Sequence, residues 1–549
     1  MILSLIAAFA LSDETARSAR GMVVCDEPVA AEVGAAILRN GGNAIDAAVA
    51  VGLTLAVVEP TAGNIGGGGF MLIRMADGRQ TFLDYREQAP RKASRNMYLG
   101  PDGKLLPDSS TLGPKAAGVP GTIAGFGVAS KKFGKLPWKD LVEPAYQLAH
   151  QGFSISTVQA GALRGNRRTL EQFAETKSQY LRNGNPYEAG DLVQLPNLAT
   201  TLRRIRDRGP DEFYRGETAK LIAKHMRTHG GLIDEQDLKE YKVKLRKPLT
   251  GTYRGRDELI TAPPPSSGGI ALLEMLHILE GLVGPMSTPE ARTHGMVEAM
   301  KYAFADRSEF LGDPDFVKVP QERLLSAEHA REIRKEIGEM DRPSTDIRPD
   351  GARNNERKET THFSVIDAAG DAVSNTYTLN GSFGSADSVD GAGFLLNNEM
   401  DDFAAKPGSA NMFGLIQGEF NAIAPRKRPL SSMTPTIVVR DGKVSMILGS
   451  PGGPTIINTV LDVFLNRADL KMSPLEAVKA PRLHHQWMPD QLSAESLTPE
   501  VLADLRRRGH NVRTGGRQGI ANCIFIDPVT GARIGVADRR YPVAAADGE

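Results

Sequence analysis

Residues 341–359 divide this chain of 549 residues. The stretch DRPSTDIRPDGARNNERKE carries ten charged residues, and its non-proline apolar residues are Ile347 and Ala352. Such a composition offers no apolar face to bury and reads as an exposed, mobile linker. Directly after it the pattern turns to strands. Thr360 to Asp367 is a strand, Ala368-Ala369-Gly370 a three-residue turn, and Asp371 to Thr378 the returning strand. A hairpin centred on Ala369 sets Thr360 opposite Thr378. Further on, Thr436 to Arg440 and Lys443 to Leu448 flank Asp441-Gly442, a strong hairpin signal. Pro454 can open a helix whose apolar stripe is Ile456, Ile457, Val460, Leu461, Phe464 and Leu465. Ser473-Pro474-Leu475-Glu476 is a capping box that starts another.

Upstream, Val29–Leu38 and Ala44–Val58 have helical patterns. A glycine run, Gly63-Asn64-Ile65-Gly66-Gly67-Gly68-Gly69, leads into a hairpin of Phe70–Met75 and Gln80–Tyr85 about Asp77-Gly78. Residues 115–280 alternate helical patterns with glycine and proline breaks. The expectation is an α/β (α+β) chain: a sheet-rich module over residues 360–549 with helices outside it, its layers completed by the earlier helices and hairpin.

Several function classes fall away. Lys plus Arg and Asp plus Glu both number 66, so the formal net charge is zero, and nothing marks a nucleic-acid or lipid surface. Two cysteines, Cys25 and Cys523, exclude a disulfide scaffold or a cysteine metal site; whether they pair is open. Ala47–Val58 is too short to span a bilayer. Residues 2–11, ILSLIAAFAL, with Ala8-Phe9-Ala10, read as a signal segment and point to export; because a basic n-region is missing, a buried N-terminal arm is the alternative. There is no G-x-S-x-G, H-E-x-x-H, Cys-x-x-Cys or Walker lysine. The glycine run precedes a strand, which argues against phosphate binding. His225 and His229 stand four apart without an apparent third ligand, and His484-His485 beside Trp487 reads as packing, so neither a metal nor a cofactor is expected.

The chemistry gathers around residue 360. If the Glu359–Thr360 bond were cut, Thr360 would carry a free α-amine beside its own hydroxyl, and that amine can serve as base without a histidine. Threonine pairs are common in strands, so Thr360 and Thr378 gain meaning from their surroundings. Gly452-Gly453 lies between a strand and a helix start, where close backbone N–H groups can hold an oxyanion. Asn380, Glu399, Asp402, Ser431 and Ser432 form a polar set in the loops. Carboxylates beside hydroxyls suit a ligand with both an ammonium and a carboxylate, and Arg86 offers the latter a two-point cation.

The motifs Ala62-Gly-Asn-Ile-Gly-Gly-Gly-Gly-Phe70, Leu83-Asp-Tyr-Arg-Glu87, Pro263-Pro-Pro-Ser-Ser-Gly-Gly269, Thr360-Thr-His362, Asn397-Asn-Glu-Met-Asp-Asp-Phe403, Arg428-Pro-Leu-Ser-Ser-Met433 and Gly449-Ser-Pro-Gly-Gly453 together resemble the γ-glutamyltranspeptidase (γ-glutamyltransferase) family of the N-terminal-nucleophile hydrolase superfamily. The resemblance runs from about Gly21 to about Asp538. It implies a four-layer αββα sandwich and a proenzyme that cuts itself before Thr360 into a large subunit (residues 11–359, after a signal segment 1–10) and a small one (360–549). It implies that Thr360 is the nucleophile and Thr378 its support. Arg86, Ser431 and Ser432 would hold the substrate α-carboxylate, and Asn380, Glu399 and Asp402 would surround the α-amine. Gly452 and Gly453 would form the oxyanion hole. Substrates would be glutathione and other γ-glutamyl compounds, acceptors water, amino acids or dipeptides, and no cofactor is implied; the apolar amino terminus, read above as a signal segment, makes the expected location periplasmic or secreted. Glu399 stands where some bacterial relatives have glutamine. Phe413 lies in a lid-like stretch, Pro407–Pro429, where relatives carry tyrosine; its missing hydroxyl is expected to loosen the lid or shift the balance between water and acceptor. Pro454 is a further departure. A glutaryl or cephalosporin acylase is the nearest alternative, and an inactive exported binding protein of the same fold a more distant one.

Overall fold

The computed structural model describes residues 14–282, 287–347 and 360–549. Two seven-stranded antiparallel sheets lie face to face. In spatial order the first contains Ala545–Gly548, Met22–Cys25, Thr361–Ile366, Ala372–Thr378, Gly68–Arg74, Gln80–Asp84 and Lys244–Arg246. The second contains Thr15–Ser18, Arg533–Val536, Cys523–Ile526, Lys443–Leu448, Thr436–Arg440, Asp257–Thr261 and Leu249–Tyr253.

The two-residue period of a strand explains the layers. Met22, Val24, Phe70 and Leu72 meet Ile437, Val439 and Ile447 in an apolar layer between the sheets. Their neighbours Val23, Cys25, Met71 and Ile73 face outward into a core shared with helices Pro28–Arg39 and Ala44–Val58. On the other side Val438, Met446 and Leu448 pack on helices Gly268–Glu280 and Thr455–Ala468. Helices thus cover both outer faces, giving the expected αββα sandwich. Every residue of Ala44–Val58 is buried, which is why that helix reads as continuously apolar rather than one-sided.

Local registers follow the sequence closely. Thr361 pairs with Tyr377 and Ile366 with Ala372, so one step further the same register sets Thr360 opposite Thr378. Asp441 and Gly442 have φ of 51° and 73°, the left-handed pair that a two-residue hairpin turn requires. The glycine run has a steric cause. A Cβ on Gly67 would come within 2.1 Å of the Thr378 carbonyl oxygen, and one on Gly66 within 2.1 Å of that of Leu395. Bare backbone there lets the strand Gly68–Arg74 lie against Ala372–Thr378.

Two expectations change, and the open question of cysteine pairing closes. Residues 341–347 are tied down at Asp341 and Ser344, while Pro343, Thr345 and Asp346 stay exposed as the composition implies. Asp341 pairs with Lys301 and with His510 at 3.0 Å, the short helix Ser344–Ile347 is tied to Asp490 through the Ser344 N–H and hydroxyl, and Trp487 donates to the Ser344 carbonyl at 2.8 Å. Asp341 finds partners far away in sequence, whereas Arg342 pairs locally with Glu336; residues 348–359 lie outside the described residues. The helix expected from Pro454 begins at Thr455, with Pro454 as its N-cap. Cys25 and Cys523 are free and buried on opposite outer faces of the sandwich, so they do not pair. The signal segment proposed for residues 1–10 also lies outside the described residues, among which no helix is long and apolar enough to cross a membrane.

Candidate active site

Thr360 stands at the head of an inner strand whose first residues are locked in place. The Thr361 hydroxyl donates to Asp26 at 2.6 Å, and Asn522 holds the other oxygen of Asp26 at 2.7 Å. The His362 imidazole is fully buried between Thr376 (Nδ1 to Oγ1, 2.8 Å) and Ser364 (Nε2 to Oγ, 3.1 Å). It also packs flat on Gly449, where a Cβ would come within 2.0 Å of the ring. Burial pushes this imidazole down to about 3. The unfolded chain takes up that proton near pH 6.5 and the native one does not, so stability is complete above that value and falls as pH drops towards 3. The loss is about 1.4 kcal/mol per pH unit inside the window. The wild-type Tm should therefore fall more steeply than that of His362→Gln between pH 6.5 and 4.5; parallel slopes would show that His362 carries no acid sensitivity.

A small pocket opens at Thr360. Thr360, Thr378, Arg86, Asn380, Glu399, Asp402, Ser431, Ser432 and Gly453 line it, together with Phe413, Leu415, Met433, Pro454 and Ile456. Nine of the ten residues singled out from sequence share this one wall, and Gly452 is next in chain to the ninth. Thr378 Oγ1 accepts the Asn380 N–H at 2.8 Å, which fixes the orientation of that hydroxyl. Asn380 itself sits at φ 79°, in the left-handed region that asparagine tolerates better than most residues. Gly452 and Gly453 have φ of 126° and 55°, and their carbonyls accept the N–H groups of Thr455 and Ile456 in the first helical turn.

Arg86 departs from the expectation of a cation reserved for ligand. Its Nη1 donates to Glu399 and its Nη2 to Asp402 at 2.5 Å, while Glu87 lies 3.7 Å from Nη1. Burial opposes its charge, but these three carboxylates outweigh burial and hold the guanidinium firmly protonated. The acids are raised by the same burial: Glu399 goes well above the usual range, Asp402 rises, and Glu87 reaches about 7. Glu399 Oε2 is buried with no hydrogen-bond donor among the described residues. Asp402 Oδ1 takes the Asn411 side chain at 3.2 Å, and Phe413, two residues on, packs its ring 3.0 Å from where a Gly453 Cβ would lie. The lid-like stretch is thus seated on the pocket. Its Phe413 N–H donates to Asn411 Oδ1 at 3.0 Å and its carbonyl accepts from Gln486 at 3.2 Å, so backbone contacts hold it without a phenol.

The proline–serine–glycine motif also gains a reason. Ser267 N–H donates to the Ser431 carbonyl at 2.8 Å and Ser431 N–H to Pro265 at 2.9 Å, so residues 263–269 brace the two serines before entering helix Gly268–Glu280. Sequence reading missed Asp26, Glu87 as a member of the charge cluster, and Arg307, which donates to Ser432 Oγ at 3.3 Å. The signal for Arg307 is weak: a helix, Pro289–Phe310, buried along most of its length yet containing a cation.

Among the described residues, three other clusters bring together groups that can ligate a metal. Asp390 supplies the third group that His225 and His229 lacked in sequence, yet it already pairs with His229 at 2.8 Å, and Asp387 holds His225 at 2.9 Å. Lys301 sits on Glu298 beside His294 and His510, and His329 pairs with Asp306 at 2.7 Å against Glu274. Each is accounted for as an ion-pair network. His484 is held by Asn458 and Gln486, as packing requires.

A four-layer αββα sandwich with threonine at the head of an inner strand, opening on a pocket, is the arrangement of N-terminal-nucleophile hydrolases. The sequence profile described as gamma-glutamyltranspeptidase matches residues 30–547, and the chain belongs to that family. It is 45% identical over 536 residues to the glutathione hydrolase proenzyme of Escherichia coli K12, covering 95% of this chain and 91% of that one. It is 37% identical to the acylase ACY 1 proenzyme of Pseudomonas sp. SE83, covering 99% and 97%. A crystal structure of cephalosporin acylase from Bacillus halodurans superposes with a TM-score of 0.85 at 27% identity over 100% of this chain and 99% of that one.

Proposed function

We propose that this chain is an autoprocessing γ-glutamyltransferase and glutathione hydrolase whose nucleophile is Thr360. The observation that carries the reading is the buried charge cluster of Arg86, Glu399 and Asp402 in the same pocket as Thr360 and the hydroxyls of Ser431 and Ser432. A γ-glutamyl α-carbon bears one ammonium and one carboxylate. Glu399, Asp402 and Asn380 are suited to receive the first, and Arg86, Ser431 and Ser432 the second.

In the first step the Thr360 hydroxyl attacks the Glu359 carbonyl. The acyl group moves from nitrogen to oxygen, and water hydrolyses the ester, freeing the Thr360 amine and the Glu359 carboxylate. In turnover that amine takes the hydroxyl proton as Thr360 Oγ adds to the γ-carbonyl, then passes it to the departing amine. N–H groups of Gly452 and Gly453 stabilise the oxyanion. The γ-glutamyl ester is then taken by water, giving glutamate, or by an amino acid or dipeptide amine, giving a new γ-glutamyl amide. The two processed chains stay together as large and small subunits. The apolar residues 2–11 support a periplasmic or secreted location.

Glutamate release from glutathione, measured with and without a dipeptide acceptor, tests the activity; processed protein that releases none would overturn it. Arg86→Lys tests the pocket. One ammonium cannot replace a fork that spans two carboxylates and faces a third group. The variant should process normally, yet lose roughly 10²-fold in kcat/KM for γ-glutamyl anilide, about 3 kcal/mol for a charge-assisted two-point contact. Unchanged kinetics would remove Arg86 from the site.

A further inference from the structure

We propose that Arg307 is a positioning residue that sets the pocket's selectivity for an α-carboxylate, acting through the Ser432 hydroxyl; this rests on the γ-glutamyl reading of the pocket given above. Arg307 is 2% exposed. Its Nε donates to Ser267 Oγ at 3.0 Å and its Nη2 to Ser432 Oγ at 3.3 Å, while Nη1 is buried with no hydrogen-bond partner among the described residues. Among the described residues no carboxylate lies within ion-pair distance of it, although buried arginines are rarely left unpaired. Burial draws its guanidinium down to about 10, with Asp402 opposing and Arg86 adding to the shift.

The charges around Arg86 show why a second cation is needed. Arg86 is already committed to Glu399 and Asp402, with Glu87 close by. An incoming carboxylate would join three acids around one guanidinium. Arg307 is the adjoining buried cation without an acid of its own, and it is connected to a hydroxyl on the pocket wall.

The hydrogen-bond directions complete the case. A serine hydroxyl has one proton to give and lone pairs to receive. Ser432 Oγ receives Arg307, and Ser431 Oγ receives the Met433 N–H at 3.1 Å. Each oxygen is held as an acceptor from the protein side, so each proton is free to turn towards an anion. Ser267, gripped by Arg307, gives its own proton to the Ser431 carbonyl at 2.7 Å, so the same guanidinium also steadies the segment carrying both serines.

The test compares γ-glutamyl anilide with 4-aminobutyryl anilide, which keeps the ammonium and lacks the carboxylate. In Arg307→Met the wild-type preference for γ-glutamyl should shrink by roughly 30-fold or more, mainly through KM. Arg307→Lys keeps the buried charge but cannot hold both serines, and should shrink it by roughly tenfold; this variant carries the test if Arg307→Met does not process. In a double-mutant cycle, Arg307→Lys should add less than about twofold on a Ser432→Ala background. Equal losses on both substrates, or additive effects in the cycle, would show that Arg307 is merely structural. A wild-type enzyme that does not distinguish the two anilides would remove the carboxylate site itself, and this role with it.

Discussion

Thr360→Ala should leave the purified chain as one species on a denaturing gel, while the wild type resolves into two. The smaller fragment should begin at Thr360 and end at Glu549. The physical ground is the rigidity of the bond's carboxyl side. Thr361 and His362 are anchored by Asp26, Asn522, Thr376 and Gly449, so the Thr360 hydroxyl is carried on a fixed platform beside Thr378 and the glycine pair. Fixing a nucleophile against its own preceding carbonyl replaces a bimolecular encounter with an internal one, worth many powers of ten in rate. Alanine keeps the strand and removes the attacking atom, so folding should survive and cleavage should not. An intact wild-type chain, or a small fragment with any other first residue, would remove Thr360 as nucleophile.

The second large effect concerns the amine side of the pocket. A glutaryl group is a γ-glutamyl group without its α-ammonium. Glu399 and Asp402 would then be covered by the substrate with no cation beyond Arg86, and Glu399 Oε2 would gain no donor. Sites built around a polar partner reject analogues that lack it by large factors. Processed enzyme should prefer γ-glutamyl over glutaryl anilide by roughly 10³-fold or more. Asp402→Asn should narrow that ratio mainly by slowing the γ-glutamyl substrate. Equal cleavage of both would place the acylase reading first, a live comparison given the whole-chain likeness to a cephalosporin acylase.

Much of this arrangement is legible in the amino-acid sequence. Strand pairing within a hairpin is local, so the turn at Ala368–Gly370 is enough to align Thr360 with Thr378. Pocket residues fall inside short motifs because loops that hold a site have little other freedom. Long-range ion pairing is a different matter. The docking of Asp341 on Lys301 and His510, the turn of Arg86 towards Glu399 and Asp402, and the contact of Arg307 with Ser432 join residues more than 30 positions apart. Charge counts cannot reveal such partners, which is why a stretch that reads as wholly solvated is held at Asp341 and Ser344.

The order of strands in the first sheet has a last consequence. Thr361–Ile366 and Ala372–Thr378 lie between Met22–Cys25 on one side and Gly68–Arg74 on the other, and Ala545–Gly548 closes the edge beyond Met22–Cys25. A cut before Thr360 therefore severs the chain without separating the pieces, since each supplies strands the other must pair with. Before the cut, folding is a unimolecular event. Afterwards, recovery from unfolding depends on two separate chains meeting, so it becomes second order and slows with dilution. Processing thus makes the assembled enzyme a product of its history: easily reached by one continuous chain, and hard to regain once its two parts have drifted apart.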